Sequence, residues 1–113
     1  MPPPVPTVVA PEQWTADLSP MVEAQIKSAL GSSGTRLVVD LSATKFLASA
    51  GLTLLIHTGK RLADVGGALA LARPTPPVVS LLRAVGLTRV LPAFEGLEEA
   101  REFAASARAR KIV

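Results

Sequence analysis

Ser49 stands directly before the stretch Ala50–Val65, in which Leu52, Leu55, Ile56, Gly59, Leu62 and Ala63 recur at helical spacing. A serine in that place is a natural helix N-cap, whatever the function. It is also a place where a phosphate would be tolerated. Unpaired backbone N–H groups and the positive helix end would receive it. The same group would bring about −1.5 to −2 charge, and bulk, to a surface. Residue chemistry alone thus gives Ser49 as a plain helix cap or as a position that tolerates a phosphate, whose effect would be local repulsion with little refolding. Gly51 in the first turn is expected to leave the surroundings of that serine open.

Asp40 closes an apolar run and is followed by Ser42 and Thr44. Its carboxylate suits either a polar contribution beside the Ser49 loop or acceptance of backbone N–H bonds in the next loop. Thr44 and Thr53 are the neighbouring hydroxyls. His57 lies two turns after Ser49 on the same polar helix face as Thr53, Lys60, Arg61 and Asp64. It is the one histidine of the chain, and there is no cysteine, so multi-histidine and Cys-based metal sites, thiolate chemistry and disulfides are excluded. No nucleophile is paired with a base and no Gly-rich phosphate loop is present. Glu98-Glu99 falls on an amphipathic helix, where solvated charge is the ordinary explanation. Catalysis is not expected, and no cofactor or metal is expected either.

The elements that must position these residues follow from patterning. At 113 residues, 49% hydrophobic and 19% charged, the chain suits one folded domain with one core. The net charge is +3, but the basic residues are scattered and aromatics are few, which argues against nucleic acid as a partner. Arg108, Arg110 and Lys111 read as a favourable helix end and solubilising tail. The longest apolar-dominated stretch, Phe46–Ile56, falls short of the roughly 20 residues of a membrane span. Met1–Pro6 has no basic residue ahead of an apolar segment and does not read as a secretory signal. Cytoplasmic residence without membrane association is the expectation.

Residues 1–11 hold five prolines and are expected to form an extended N-terminal arm, with Thr7–Ala10 at most a short edge strand. Residues 12–113 then make the domain. Ser19-Pro20 reads as an N-cap and first-turn proline, with Val22, Ile26, Ala29 and Leu30 as the apolar stripe and Gly31–Gly34 as the stop. Leu37–Leu41 is a run suited to a strand covered on both faces. The Ala50–Val65 helix ends at Gly66-Gly67. Ala68–Ala72 is another strand, and Thr75-Pro76-Pro77 opens a helix with Val78, Leu81, Leu82 and Val85 inward, stopped by Gly86. Val90–Phe94 is a short strand whose Pro92 suggests an edge. Leu97, Ala100, Phe103, Ala104 and Ala107 mark a last helix. Trp14 is expected to be a packing anchor. Strands alternating with helices imply βαβ units with right-handed crossovers in a layered α/β domain. Loops after strand ends, such as that after Asp40-Leu41, are then the natural docking places.

Leu37–Leu52, read as Leu-Val-Val-Asp-Leu-Ser-Ala-Thr-Lys-Phe-Leu-Ala-Ser-Ala-Gly-Leu, resembles the STAS domain signature: a buried strand ending in Asp-Leu-Ser, a short loop, then Ser-x-Gly-Leu opening a helix. Gly66–Ala72 is similar to the family's following strand, and Ala84–Ala100 to its closing segment. The resemblance spans about residues 18–105. It implies a single layered α/β domain with a mostly parallel mixed sheet of about four strands and about four helices. It further implies an anti-sigma factor antagonist, partnered by an anti-sigma factor that is a serine kinase. In such proteins the serine matching Ser49 is phosphorylated, and the unphosphorylated form binds the anti-sigma factor and frees the sigma factor. The nucleotide belongs to the kinase. The partner surface implied here comprises Asp40, Ser42, Thr44, Ala48, Ala50, Gly51, Thr53 and His57 around Ser49.

Two departures from the family pattern stand out. An aspartate commonly precedes the serine, whereas Ala48 and Ala50 flank Ser49 here, which bears on kinase recognition and on whether Ser49 is modified at all. The family usually begins with two hairpin strands that include a Gly-Glu-apolar-Asp run, which this chain lacks, so a shortened N-terminal edge is expected. An exposed edge invites pairing with another chain, giving homodimerisation or strand addition as a hypothesis. The alternatives to the antagonist are a STAS scaffold without phosphorylation, as a subunit of a lipid-transport or signalling assembly, and a small-molecule sensor using the loop pocket.

Overall fold

The computed structural model describes residues 5–31, 34–87 and 91–106. Four strands, β1 (Thr7–Val9), β3 (Arg36–Asp40), β5 (Ala68–Ala72) and β6 (Ala93–Phe94), form one sheet in the order β1-β3-β5-β6. Every pairing in it is parallel, so the sheet is not mixed among the described residues. Two further two-residue strands, β2 (Gln13–Trp14) and β4 (Phe46–Leu47), pair in parallel as a separate ribbon. The helices are α1 (Ser19–Leu30), α2 (Ser49–Asp64), α3 (Pro76–Ala84) and α4 (Leu97–Ser106).

Each crossover steps one strand onward in the same direction, and right-handed connections then deliver α1, α2 and α3 to one face. The two sheet faces carry side chains of different size. Leu37, Val39, Leu69 and Leu71 point into the core shared with Val22, Ile26, Leu55, Leu62, Val78 and Leu82 of those helices. Val38, Ala70 and Ala72 meet Ala100 and Ala104 on the other face, with Phe94, Leu97 and Phe103 packed around them. Alternation at period two sorts leucines from alanines, and the small face admits α4 as a close cover. Phe94 and Phe103 stack there at 5.2 Å. Strands covered on both faces are what the apolar runs predict.

Helix ends follow turn chemistry. Gly31, Gly66 and Gly86 adopt positive φ where α1, α2 and α3 stop. Thr75 is the N-cap of α3, with the prolines in its first turn. At α1 the expected cap is corrected: Ser19 is the first helical residue and Leu18 the N-cap. The Ser19 hydroxyl is occupied otherwise, accepting a hydrogen bond from the Trp14 indole Nε1 at 3.0 Å. Trp14 is fully buried, as a packing anchor should be.

The N-terminal edge is short, as expected, but well tied. β1 pairs with β3 over Thr7↔Val38 to Val9↔Asp40, and Val5, Val8 and Ala10 are buried. Among the described residues β1 makes no hairpin, because β2 pairs with β4 outside the main sheet. The Val90, Ala107, Arg108, Arg110 and Lys111 positions lie outside the described residues.

Candidate functional site

The site lies at the C-terminal ends of the strands, where three loops are stitched together. Residues 41–48 follow β3. The Thr44 hydroxyl donates to the Pro11 carbonyl at 2.9 Å, while the Thr75 hydroxyl donates to the Thr44 carbonyl. Lys45 N–H donates to Glu12 O at 2.8 Å and Ala48 N–H to Trp14 O at 2.9 Å. The loop is thus held from one side by residues 11–14 and from the other by the segment before α3.

Asp40 anchors its start. Its side chain is buried, and Oδ1 accepts the Ser42 N–H at 2.9 Å, closing the local turn. Oδ2 accepts from Arg73 Nη2 at 2.6 Å. Burial pushes the carboxyl pKa up. The Arg73 hydrogen bond, the Ser42 backbone and hydroxyl bonds and the Arg73 charge outweigh it, and the group stays ionised below the ordinary aspartate range. Arg73 reaches Asp40 because Asp40 is in register with Ala72, the residue before it. It does so with φ at 51°, a left-handed conformation unusual outside glycine. Sequence reading missed Arg73. The available signal was its place directly after the apolar run Ala68–Ala72, the same strand end that Asp40 occupies.

Ser49 is exposed and is the first residue of α2, with Ala48 as N-cap, so the sequence expectation of a capping serine is corrected. The Ala48 carbonyl accepts from Gly51 N–H at 2.9 Å and Leu52 N–H at 3.2 Å. The Ser49 and Ala50 N–H groups keep no backbone acceptor among the described residues. Nor does the Ser49 hydroxyl make a hydrogen bond among them. A group added to that oxygen meets solvent and two free donors at the positive helix end.

Gly51 is the second correction. It is buried, and its surroundings are filled: an added Cβ would lie 2.5 Å from Leu47 Cδ1 and 2.9 Å from Trp14 Cε2. Gly51 lets the start of α2 settle on Trp14 and Leu47, and that contact sets the pose of Ser49. Thr44 is also buried, so its side chain braces the loop and is not available to a partner. Of the other anticipated residues, Ser42, Thr53 and His57 are exposed, and Ala48 and Ala50 are half-buried. Phe46, absent from the anticipated set, is 49% exposed three residues before Ser49.

Two shallow depressions lie away from these loops. One, of about 430 Å³, is between the C-terminal ends of α1 and α2 beside Leu30, Leu62 and Val65. The other, of about 360 Å³, runs beside β1 and α1 at Thr7, Val9 and Gln25. Among the described residues no group of three His, Cys, Asp or Glu side chains gathers in a metal-binding arrangement. No helix there is long and apolar enough to cross a membrane.

A family model described as the Mlab, STAS domain, matches residues 3–92. The chain belongs to the STAS domain family. No curated protein matches it in sequence. Solved STAS-fold structures resemble it closely in architecture. A candidate anti-sigma factor antagonist from Thermotoga maritima superposes with a TM-score of 0.77 at 20% identity, covering 88% of this chain and 87% of that one. An anti-sigma-factor antagonist (STAS) domain protein from Planctomyces limnophilus gives 0.74 at 22% identity, covering 87% of each chain. The murine Solute Carrier 26 family member A9 anion transporter gives 0.71 at 17% identity. That match covers 88% of this chain and only 17% of the transporter. At these identities the structures share a fold with the STAS domain described here. The family match begins at residue 3, so it takes in the stretch read from sequence as an arm.

Proposed function

We propose that this STAS domain is an anti-sigma factor antagonist: it binds a serine-kinase anti-sigma factor in the cytoplasm, releases a sigma factor, and is switched off by phosphorylation of Ser49. The observation that carries the reading is the exposed Ser49 hydroxyl at the first position of α2, on a loop braced by Thr44, Asp40 and Trp14. A phosphate there adds about −1.5 to −2 charge without disturbing a buried contact. The switch then works by repulsion at the partner surface, with the fold unchanged. The role is binding and not catalysis, and the nucleotide is the kinase's.

The test is incubation with the serine-kinase anti-sigma factor of the same genome and ATP, with mass spectrometry to place the phosphate and Ser49→Ala as control. Phosphate at Ser49 that abolishes binding supports the switch. Binding with no phosphate transfer leaves an antagonist regulated by other means. No binding removes the antagonist reading.

A second reading is an unphosphorylated STAS subunit of a transport assembly. It is favoured by Ala48 and Ala50 in place of the usual acidic flank, and by the same fold inside a transporter chain. Stable co-purification with transporter subunits, and not with a kinase, would select it.

A further inference from the structure

β1 is the last strand on its side of the sheet. Val38 N–H donates to Pro6 O at 3.0 Å and Ala10 N–H to Asp40 O at 2.9 Å, so the even-numbered residues of this segment bond to β3. Alternation turns the N–H and C=O groups of Thr7 and Val9 the other way, where no strand follows among the described residues. Such an edge is ordinarily blunted by charge, proline or a bulge. Thr7–Val9 has an unbroken register and none of these, and the prolines at 6 and 11 only set its length.

The free edge forms one wall of the depression of about 360 Å³, and Gln25, Ser28 and Ala29 of α1 form the other. At about 100° per residue, Met21, Gln25 and Ser28 fall within about 60° of one another on α1, while Glu23 and Lys27 point to the opposite side. All three are exposed. Val9 and Met21, 59% and 45% exposed, are two of the five large apolar side chains left in water among the described residues. The strip itself is uncharged. Arg101 of α4, whose Nε donates to Thr7 Oγ1 at 3.3 Å, is already paired with Glu98 at 3.2 Å. A charged partner finds nothing to read here.

We propose that a second copy of this chain covers the strip, with β1 pairing antiparallel to its counterpart about a two-fold axis at Val8. The edge is complementary to itself in that register. Thr7 stands opposite Val9 of the second copy, twice over, and each such pair exchanges two N–H···O bonds. Val9 is thereby covered by a β-branched cross-strand neighbour. The helices agree with the strands. α1 packs on both β1 and β3, so its axis lies about one strand spacing, roughly 5 Å, from the seam. The two copies of α1 then run side by side about 10 Å apart, a distance at which helices pack, and their Met21, Gln25 and Ser28 stripes meet. The axis reverses strand direction, so the two Ser49 loops lie at opposite ends of a continuous sheet and both stay free. The pairing is independent of the antagonist reading.

The experiment is sedimentation velocity of the purified chain from about 5 µM to about 1 mM. A seam of this size sits at the weak end of specific interfaces, and the mass should double across that range. Val9→Lys and Ser28→Arg should each raise the dimer Kd at least about tenfold, and Val65→Lys, outside the strip, should leave it unchanged. Thermal unfolding checks that these surface variants fold. A second measurement fixes the register, using the absence of native cysteine. Thr7→Cys and Val9→Cys proteins, mixed under mild oxidation, should cross-link to each other, because paired Cα atoms about 5.5 Å apart suit a disulfide. Either one alone should not, since like positions lie more than about 7 Å apart. A monomer throughout overturns the proposal, as does a dimer indifferent to both Val9→Lys and Ser28→Arg. Cross-linking of either single variant as fast as the mixture overturns the register and the proposal with it. A monomer whose binding to the serine-kinase anti-sigma factor is lost in Val9→Lys gives the edge to that partner and overturns self-pairing.

Discussion

Gly51→Ala tests whether the start of α2 is seated as the structure shows. The new methyl carbon would stand 2.5 Å from Leu47 Cδ1, 2.9 Å from Trp14 Cε2 and 3.0 Å from Trp14 Cδ2. Comfortable carbon contacts begin near 3.5 Å, so relief of about 0.5–1 Å is required. The Leu47 methyl can rotate away. Trp14 cannot, because the ring is fully buried and its N–H is held by Ser19. Overpacking of this kind destabilises by about 1–3 kcal/mol. Helix propensity works the other way, but alanine gains at most about 1 kcal/mol over glycine, and less in a first turn. Crowding wins, and a net loss of about 1–2 kcal/mol is expected. Urea unfolding followed by far-ultraviolet circular dichroism should show a lower midpoint at unchanged slope. In a Leu47→Ala background the same substitution should still destabilise, since Trp14 Cε2 and Cδ2 stay at 2.9 and 3.0 Å from the added carbon. A Gly51→Ala variant as stable as the wild type would refute the reasoning, because propensity would then have outweighed a contact that is not there.

Arg73→Ala should destabilise by about 1–2 kcal/mol, since it leaves the Asp40 carboxylate buried without its cation, discounted because Arg73 is 44% exposed. Arg73→Gly should recover about 1 kcal/mol of that by relieving the left-handed backbone, a difference that thermal melts resolve. Asp40 has a lowered folded pKa, so its contribution is present above its unfolded value near 3.9 and is lost as pH falls through the folded one. The stability gap between wild type and Asp40→Asn should accordingly be full at pH 7 and shrink below about pH 4. Ser19→Ala orphans the Trp14 indole N–H and should lose about 1–3 kcal/mol, read by denaturant titration with Trp14 fluorescence as a second probe. Ser49→Glu should raise stability by about 0.3–1 kcal/mol through the helix dipole while weakening anti-sigma factor binding at least about tenfold. A loss of both would place Ser49 in the fold and not at the surface.

The sequence by itself determined the layered α/β order, because its signals are local. Helical spacing in Ala50–Val65 and the doubly covered runs Leu37–Leu41 and Ala68–Ala72 can each be read within one window, as can the glycine stops at positions 31, 66 and 86. It also placed Ser49 at the start of α2 and Asp40 at a strand end. The ribbon of β2 and β4 was not legible, since two-residue strands carry no periodicity and their partner lies 33 positions away. The tertiary structure decided the rest of the site. Capping gave way at Ser49 and Ser19 because a helix start is fixed by where the backbone enters, here pinned through Ala48 to Trp14. Gly51 reads as an open position in one dimension and is a filled contact in three. The parallel register of β3 and β5 alone brings Arg73 to Asp40, and the pleat of β4 alone turns Leu47 inward and Phe46 to water. Residue types set which chemistry is available to this domain; long-range pairing, which no local window contains, sets which of those groups reach the surface.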